Sequence, residues 1–210
     1  MKSTSKTIIS PMTEAIINFT NSLYTPTCME LITKEEIRDA LSSGQLLSKL
    51  WLLDKFQIIF EKNPEIKKLD TVVVGGWLGL LARALNHLDE RIVADSVDIS
   101  LSATTIACLT LDNCPGTAIL SDMMLLDYSK YNCVINTSSE HLSDITSWSQ
   151  KINKGSLVIV QNNNGKEIQD HISCVDSSLE LEKILNLDEI YYSDEIIFPF
   201  YTRFMVIGKK

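Results

Sequence analysis

The chain has 210 residues, enough for one domain with a sizeable core and an added segment, and its 45% apolar content excludes a disordered chain. A formal charge of −8, with no basic block interleaved with aromatics, argues against a nucleic-acid partner, because a phosphate backbone wants a basic face. Cys28, Cys108, Cys114, Cys133 and Cys174 contain no CxxC pair and read as buried, reduced thiols, while His87, His141 and His171 show no metal-ligand spacing, so no metal is expected.

Residues 1–10 are polar and carry lysines with no apolar leader segment after them, and no stretch is long or clean enough to span a bilayer. A soluble cytoplasmic protein without a membrane partner is the expectation. Residues 12–63 read as helices. The first runs over 12–23 and is closed by Pro26, and Thr33-Lys-Glu-Glu36 has the form of a capping box. Residues 45–60 carry Leu46, Leu47, Leu50, Leu53, Phe56, Ile59 and Phe60 on one broad face, and Asn63-Pro64 ends the run. These helices are either a cover over a ligand crevice or an oligomer surface, which makes a homodimer one expectation. The division that follows is a helical cover over 1–66 and an α/β domain over 67–210.

From residue 70 apolar runs alternate with helical ones. Strands are predicted at 71–75, 93–98, 117–121, 131–136, 156–161, 189–193 and 202–208, with helices near 79–88, 100–112, 143–150 and 177–185. Such alternation predicts a doubly wound, mostly parallel sheet. The last two strands leave no room for a helix between them and predict an antiparallel terminal strand.

Val72 to Val74 form a short β-branched run bounded by Gly75, Gly76 and Gly79, with Trp77 inside the turn and helical spacing after it. Glycines between a strand and a helix let backbone approach a ligand without a Cβ in the way. Asp98 ends the next strand, where a carboxylate can accept both hydroxyls of a ribose; the bland alternative is a cap for the helix beginning near Ser100. Turn, helix and acid at that distance point to an adenosine-bearing small molecule. The glycines alone would serve equally to let a helix pack closely on a strand.

Four further segments, Gln45-Leu-Leu-Ser48-Lys49-Leu-Trp51, Gly75-Gly76-Trp77, Asn136-Thr137-Ser138-Ser139-Glu140-His141 and Tyr201-Thr202-Arg203-Phe204-Met205, carry a resemblance. From about residue 40 onward the chain is similar to small proteins of the Rossmann-like class I S-adenosylmethionine-dependent methyltransferase fold, and within them it resembles azetidine-2-carboxylate synthases. The resemblance implies S-adenosylmethionine as cosubstrate and no metal. The turn departs from the Gly-x-Gly-x-Gly of methyltransferases, so the motif leaves the reaction open.

Within that frame Asp122 can accept from an adenine amino group and Met123 can cover the ring, unless Asp122 only caps the turn through Met124. Asn136 could hold an amino group by its amide oxygen, with Ser138 beside it. Glu140 and His141 are neighbours that point in different directions, so one of them is structural. Gln45, Ser48 and Lys49 share one helix side, and the resemblance makes Lys49 a partner for a ligand carboxylate; Trp51 reads as core. Gln161-Asn162-Asn163-Asn164 reads as a turn at the ligand side. Tyr192 or Tyr201 could place a ring against a sulfonium.

Three functions follow. The resemblance favours cyclisation of S-adenosylmethionine to azetidine-2-carboxylate with release of 5′-methylthioadenosine, which needs no second substrate. The alternative is methyl transfer to a small acceptor, which needs a second pocket. The third is a non-catalytic nucleoside sensor.

Overall fold

Strands buried on both faces must be apolar at consecutive positions, and the valine-rich runs meet that condition. The computed structural model describes residues 9–210, with side chains from Pro11 onward. Five helices, α1 (Ile9–Ser22), α2 (Pro26–Leu31), α3 (Lys34–Ala40), α4 (Ser43–Lys55) and α5 (Gln57–Lys62), precede the sheet. There follow β1 (Leu69–Val74), α6 (Leu80–Leu88), β2 (Ile92–Asp98), α7 (Leu101–Thr110), β3 (Ala118–Leu120), β4 (Cys133–Asn136), α8 (Ile145–Ser149), β5 (Leu157–Asn163), α9 (Ser178–Leu185), β6 (Glu189–Ile197) and β7 (Thr202–Lys209). The reading of residues 1–10 as a polar segment lies outside the described side chains.

Among the described residues seven strands run in the order β3-β2-β1-β4-β5-β7-β6, and β7 runs opposite to the other six. This is the predicted class I methyltransferase fold. Side chains alternate between two cores, as the period of a strand requires. Val73, Ile135, Ile159 and Ile207 face the N-terminal helices, α6 and α7. Val72, Val134, Val160 and Val206 face Tyr128, Trp148 and α9. Buried Trp148 donates from Nε1 to the Tyr128 hydroxyl at 2.9 Å, so the largest side chain of that core leaves no polar atom unmade.

The N-terminal helices have separate tasks. α1 packs against α6 and α7 through Met12, Ala15 and Phe19. α4 lies nearer the strand ends, where Gln161 Nε2 on β5 donates to the Ser48 carbonyl at 3.0 Å. Thr33 and Glu36 form the anticipated capping box. Pro26 opens a helix rather than closing one: it sits at the first turn of α2, where its missing N–H costs nothing and the Thr25 side chain caps Cys28 N–H. The continuous run expected over 45–60 is interrupted at Phe56, whose N–H bonds to the Leu53 carbonyl three residues back at 3.4 Å, and so divides into α4 and α5. The amides Gln161, Asn162 and Asn163 extend β5 instead of forming a turn, since β7 pairs with each of them. The thiols are less uniform than expected. Cys28 and Cys133 are buried, Cys114 and Cys174 half-buried, and Cys108 exposed on the outer side of α7. Among the described residues no helix is long and apolar enough to cross a membrane.

Phe19 is the largest anchor of α1 in the core and is 0% exposed. Phe19→Ala should cost about 3–5 kcal/mol. Urea unfolding should show one transition shifted to lower midpoint. Two separate transitions would mean that the N-terminal helices fold apart from the sheet.

Candidate functional site

The turn after β1 is built from three left-handed residues, Gly75 (φ +60), Trp77 (φ +47) and Gly79 (φ +79). Gly76 between them has no room for a side chain: a Cβ there would stand 2.2 Å from Ser96 Oγ and 3.0 Å from the Val73 carbonyl. Its N–H donates to the Val97 carbonyl at 2.9 Å, which draws the turn onto β2. Asp98 completes the tie. Its Oδ2 accepts from Trp77 N–H and its Oδ1 from Ser100 N–H, each at 2.9 Å. The cap of α7 is Ser100, whose hydroxyl accepts from Ala103 N–H at 3.3 Å, and Asp98 supports the N–H of that cap residue; its two acceptor bonds leave lone pairs on the carboxylate for a ribose. Gly79 serves close packing, because a Cβ there would meet Ala107 on α7 at 3.1 Å.

Above this turn lies a cavity of about 330 Å³, lined by Gly75, Gly76, Trp77, Asp98, Met123 and Ser138 together with Gln45 and Lys49 from α4. These sequence-selected residues meet although they come from five separate segments. Lys49 is only 9% exposed, and its ammonium donates to Gln45 Oε1 at 2.5 Å, a neutral partner. Burial drives its pKa down to about 7, Arg203 adds to the fall, and Asp39 opposes it.

A second, polar cavity of about 390 Å³ adjoins the first and shares Asp39, Gln45, Thr137, Ser138 and His141 with it. It is further lined by Glu140, His171, Tyr201 and Arg203. Glu140 is buried, and its Oε1 accepts from Asn163 Nδ2 at 2.7 Å and Arg203 Nη2 at 3.2 Å. Burial holds the His171 imidazole below its usual pKa, against the pull of Glu140.

Other selected residues are placed elsewhere. Asn136 is fully buried, and its amide oxygen accepts from Ser138 N–H at 2.9 Å, so it shapes the loop after β4 instead of facing the cavity. Asp122 Oδ1 caps Met124 N–H at 2.7 Å, and Asp122 lines neither cavity; its neighbour Met123 does. Tyr192 packs its ring edge against Trp51, accepts from Trp51 Nε1 at 3.1 Å and donates to Asp194, away from both cavities. Strand order is the reason: β6 is the edge strand, three places from β4, so its tyrosines lie away from the loops after β1 and β4 and pack on the core instead. Tyr201 lines the second cavity, stacked on Phe198, with its hydroxyl over Gly44 where a Cβ would be 2.8 Å away. Trp51 is core, as read. Asp39, Thr137, His171 and Arg203 were not singled out as site residues; Thr137 and Arg203 stood inside noticed segments, and no local pattern marks the other two.

No family model matches the chain, and no curated protein does. Solved structures share its fold. The magnesium protoporphyrin IX methyltransferase of Synechocystis, with bound S-adenosylmethionine, is 14% identical over 94% of this chain and 97% of that one, with a TM-score of 0.61. The N-methyltransferase NodS of Bradyrhizobium japonicum, in complex with S-adenosyl-L-homocysteine, is 12% identical over 92% and 100%, with a TM-score of 0.60. A plantazolicin methyltransferase in complex with S-adenosylhomocysteine is 10% identical over 97% and 98%, with a TM-score of 0.61.

Asp98→Ala removes two charge-assisted bonds from the turn and should destabilise the protein by about 1.5–3 kcal/mol. Asp98→Asn, which keeps one acceptor, should lose less. The check is the urea midpoint at unchanged slope.

Proposed function

We propose that the protein binds S-adenosylmethionine in the first cavity and transfers its methyl group to a small polar acceptor in the second. The observation that carries this reading is the pair of adjoining cavities, one ending on a glycine turn and a strand-end carboxylate, the other polar and lined by Glu140, His171, Tyr201 and Arg203. The residues of the first cavity suit the ligand. Gly75 leaves open the space between Met123 and Ser138 that a Cβ would enter at 3.5 Å from each. Asp98 retains lone pairs for ribose hydroxyls, Met123 offers an apolar wall for a base, and Lys49 with Gln45 suits a carboxylate. The solved structures of this fold that carry S-adenosylmethionine or its product support the same assignment.

When bound, the ligand supplies an electrophilic methyl carbon, whose bond to sulfur breaks with the electron pair staying on sulfur as the acceptor's lone pair forms the new bond. The chain's own part is positioning. Gly75 to Trp77 and Asp98 fix the nucleoside end, and Thr137, Ser138 and His141, common to both cavities, border the line between donor and acceptor. On this reading α3 and α4 roof the site through Asp39, Gln45 and Lys49, while α1 supports α6 from behind.

Cyclisation needs one closed pocket and no second cavity, and for that reason methyl transfer is preferred. Incubation with S-adenosylmethionine alone separates the two: cyclisation yields methylthioadenosine, whereas methyl transfer yields adenosylhomocysteine only when an acceptor is supplied. Methylthioadenosine from the wild-type protein without acceptor would overturn the reading.

Lys49 gives a pH signature. Its folded pKa of about 7 lies below the value of 10.5 for a free lysine, so the unfolded chain holds the extra proton between those values. Stability therefore carries the full cost of Lys49 below pH 7 and recovers as pH rises toward 10.5. Lys49→Met should be more stable than wild type at pH 6, with the gap narrowing by pH 9, as thermal unfolding would report. A ligand carboxylate restores the charge, so wild-type binding should take up a proton at pH 8. Calorimetry in buffers of different ionisation enthalpy should detect that uptake in wild type and not in Lys49→Met, whose affinity should be about tenfold or more weaker, as expected for a lost charge-assisted pair.

A further inference from the structure

One group of side chains in the second cavity has chemistry beyond lining an acceptor site. Glu140, His141 and His171 each offer a ligand atom, and these atoms lie within 4.8 Å of one another at the wall of the second cavity. Glu140 is 2% exposed, its Oε1 is occupied by Asn163 and Arg203, and its Oε2 is buried with no hydrogen-bond partner. A buried carboxylate oxygen without a donor is costly and uncommon, and it asks for a cation or a proton donor from outside the chain.

The two histidines are held in the matching state. His141 Nδ1 lies 2.9 Å from the Asp170 carbonyl oxygen, which only accepts, so Nδ1 carries the hydrogen and Nε2 keeps a lone pair. His171 Nδ1 lies 3.1 Å from Asn163 Oδ1. That amide is fixed in orientation, because its oxygen accepts from Gly165 N–H at 2.8 Å and its nitrogen donates to Glu140, so His171 has the same tautomer. An imidazole that donates one ring N–H to a carbonyl keeps its other nitrogen free to coordinate, the usual arrangement around a metal ion, and His171 Nε2 stands 4.0 Å from Glu140 Oε1. The rings stand edge to face at 4.9 Å.

We propose that Glu140, His141 and His171 bind one divalent transition-metal ion at the wall of the second cavity. Two imidazoles and a carboxylate are donors for zinc or ferrous iron, and not the all-oxygen shell that magnesium or calcium takes. An ion about 2.1 Å from each ligand draws them to roughly 3–3.5 Å apart. The exposed His141 side chain can rotate and His171 need close only from its 4.0 Å to Glu140 Oε1, so small side-chain movements supply that contraction while Arg203 and Asn163 hold Glu140. Three protein ligands leave coordination positions open to the cavity. The Arg203 guanidinium beside Glu140 weakens the site relative to one whose carboxylate is unopposed.

The test uses the untagged full chain, stripped with chelator and titrated with zinc(II), cobalt(II) and magnesium(II) separately. Calorimetry should give one zinc ion per chain, and cobalt should give visible ligand-field absorption. His141→Ala, at an exposed position that the fold does not need, should weaken zinc binding tenfold or more with an unchanged melting temperature in the absence of metal. Glu140→Gln should do the same, with circular dichroism reporting whether its fold survives. No saturable zinc binding, equal binding by wild type and His141→Ala, or a preference for magnesium would each overturn the proposal. None of these readouts involves S-adenosylmethionine, so the metal site and the methyl-transfer reading fail independently.

Discussion

A single carboxylate at the end of β2 holds the site together. Asp98 accepts from the N–H of Trp77 and the N–H of Ser100, so one side chain ties the turn leaving β1 to the residue that caps α7. Without it the left-handed residues Gly75 and Trp77 would have no reason to stay in a conformation that costs free energy for a tryptophan. Gly76 adds the complementary constraint, because its missing side chain is what allows the turn to close onto Val97 over Ser96. The cavity floor is therefore backbone locked by one ionised group, and its shape follows from the order of β1 and β2 in the sheet.

The antiparallel strand does the corresponding work for the second cavity. Insertion of β7 beside β5 sets Arg203 opposite Asn163, and both then reach Glu140 from the far side of the loop after β4. Removing two charges from water roughly cancels their mutual attraction, so this buried pair adds little net stability. What it provides is position. Glu140 is fixed in the wall of the second cavity beside the exposed His141, and the bond from Arg203 Nη1 to the Thr137 carbonyl pins the loop that carries both.

How much of this could be read from sequence depended on range along the chain. Strands and helices from β1 onward carry their own periodicity and were legible to within a few residues. The glycine turn and Asp98 were legible because their partners lie on adjacent elements, 21 residues apart at Trp77 and Asp98. His171 and Arg203 were not, since they reach Glu140 only through the sheet order β4-β5-β7. Tyr192 was misplaced because β6 lies at the edge of the sheet, a strand order that no local pattern reveals. Asn136 and Asp122 were chosen for chemistry that the chain spends on its own backbone, each accepting a local N–H two residues on, as Asn and Asp side chains do in turns.

Unmet polar atoms show where the molecule is arranged for something other than stability. Apart from Arg83, Thr110 and Ser193, the buried side-chain atoms without partners belong to Ser96, Glu140, Gln161 and Arg203. Ser96 lies beneath Gly76, Gln161 holds α4 through the Ser48 carbonyl, and Glu140 and Arg203 line the second cavity. Lys49, a buried cation bonded only to the amide and carbonyl of Gln45, stands at the same end of the sheet. Core strands such as β1 and β4 satisfy their backbone in parallel ladders and present hydrocarbon to both layers. Departures from that rule gather at the carboxyl ends of the strands, where an open α/β sheet has its crevice. Each departure costs free energy in the free protein that a bound group can return, and their concentration on one edge separates a binding site from an ordinary surface loop.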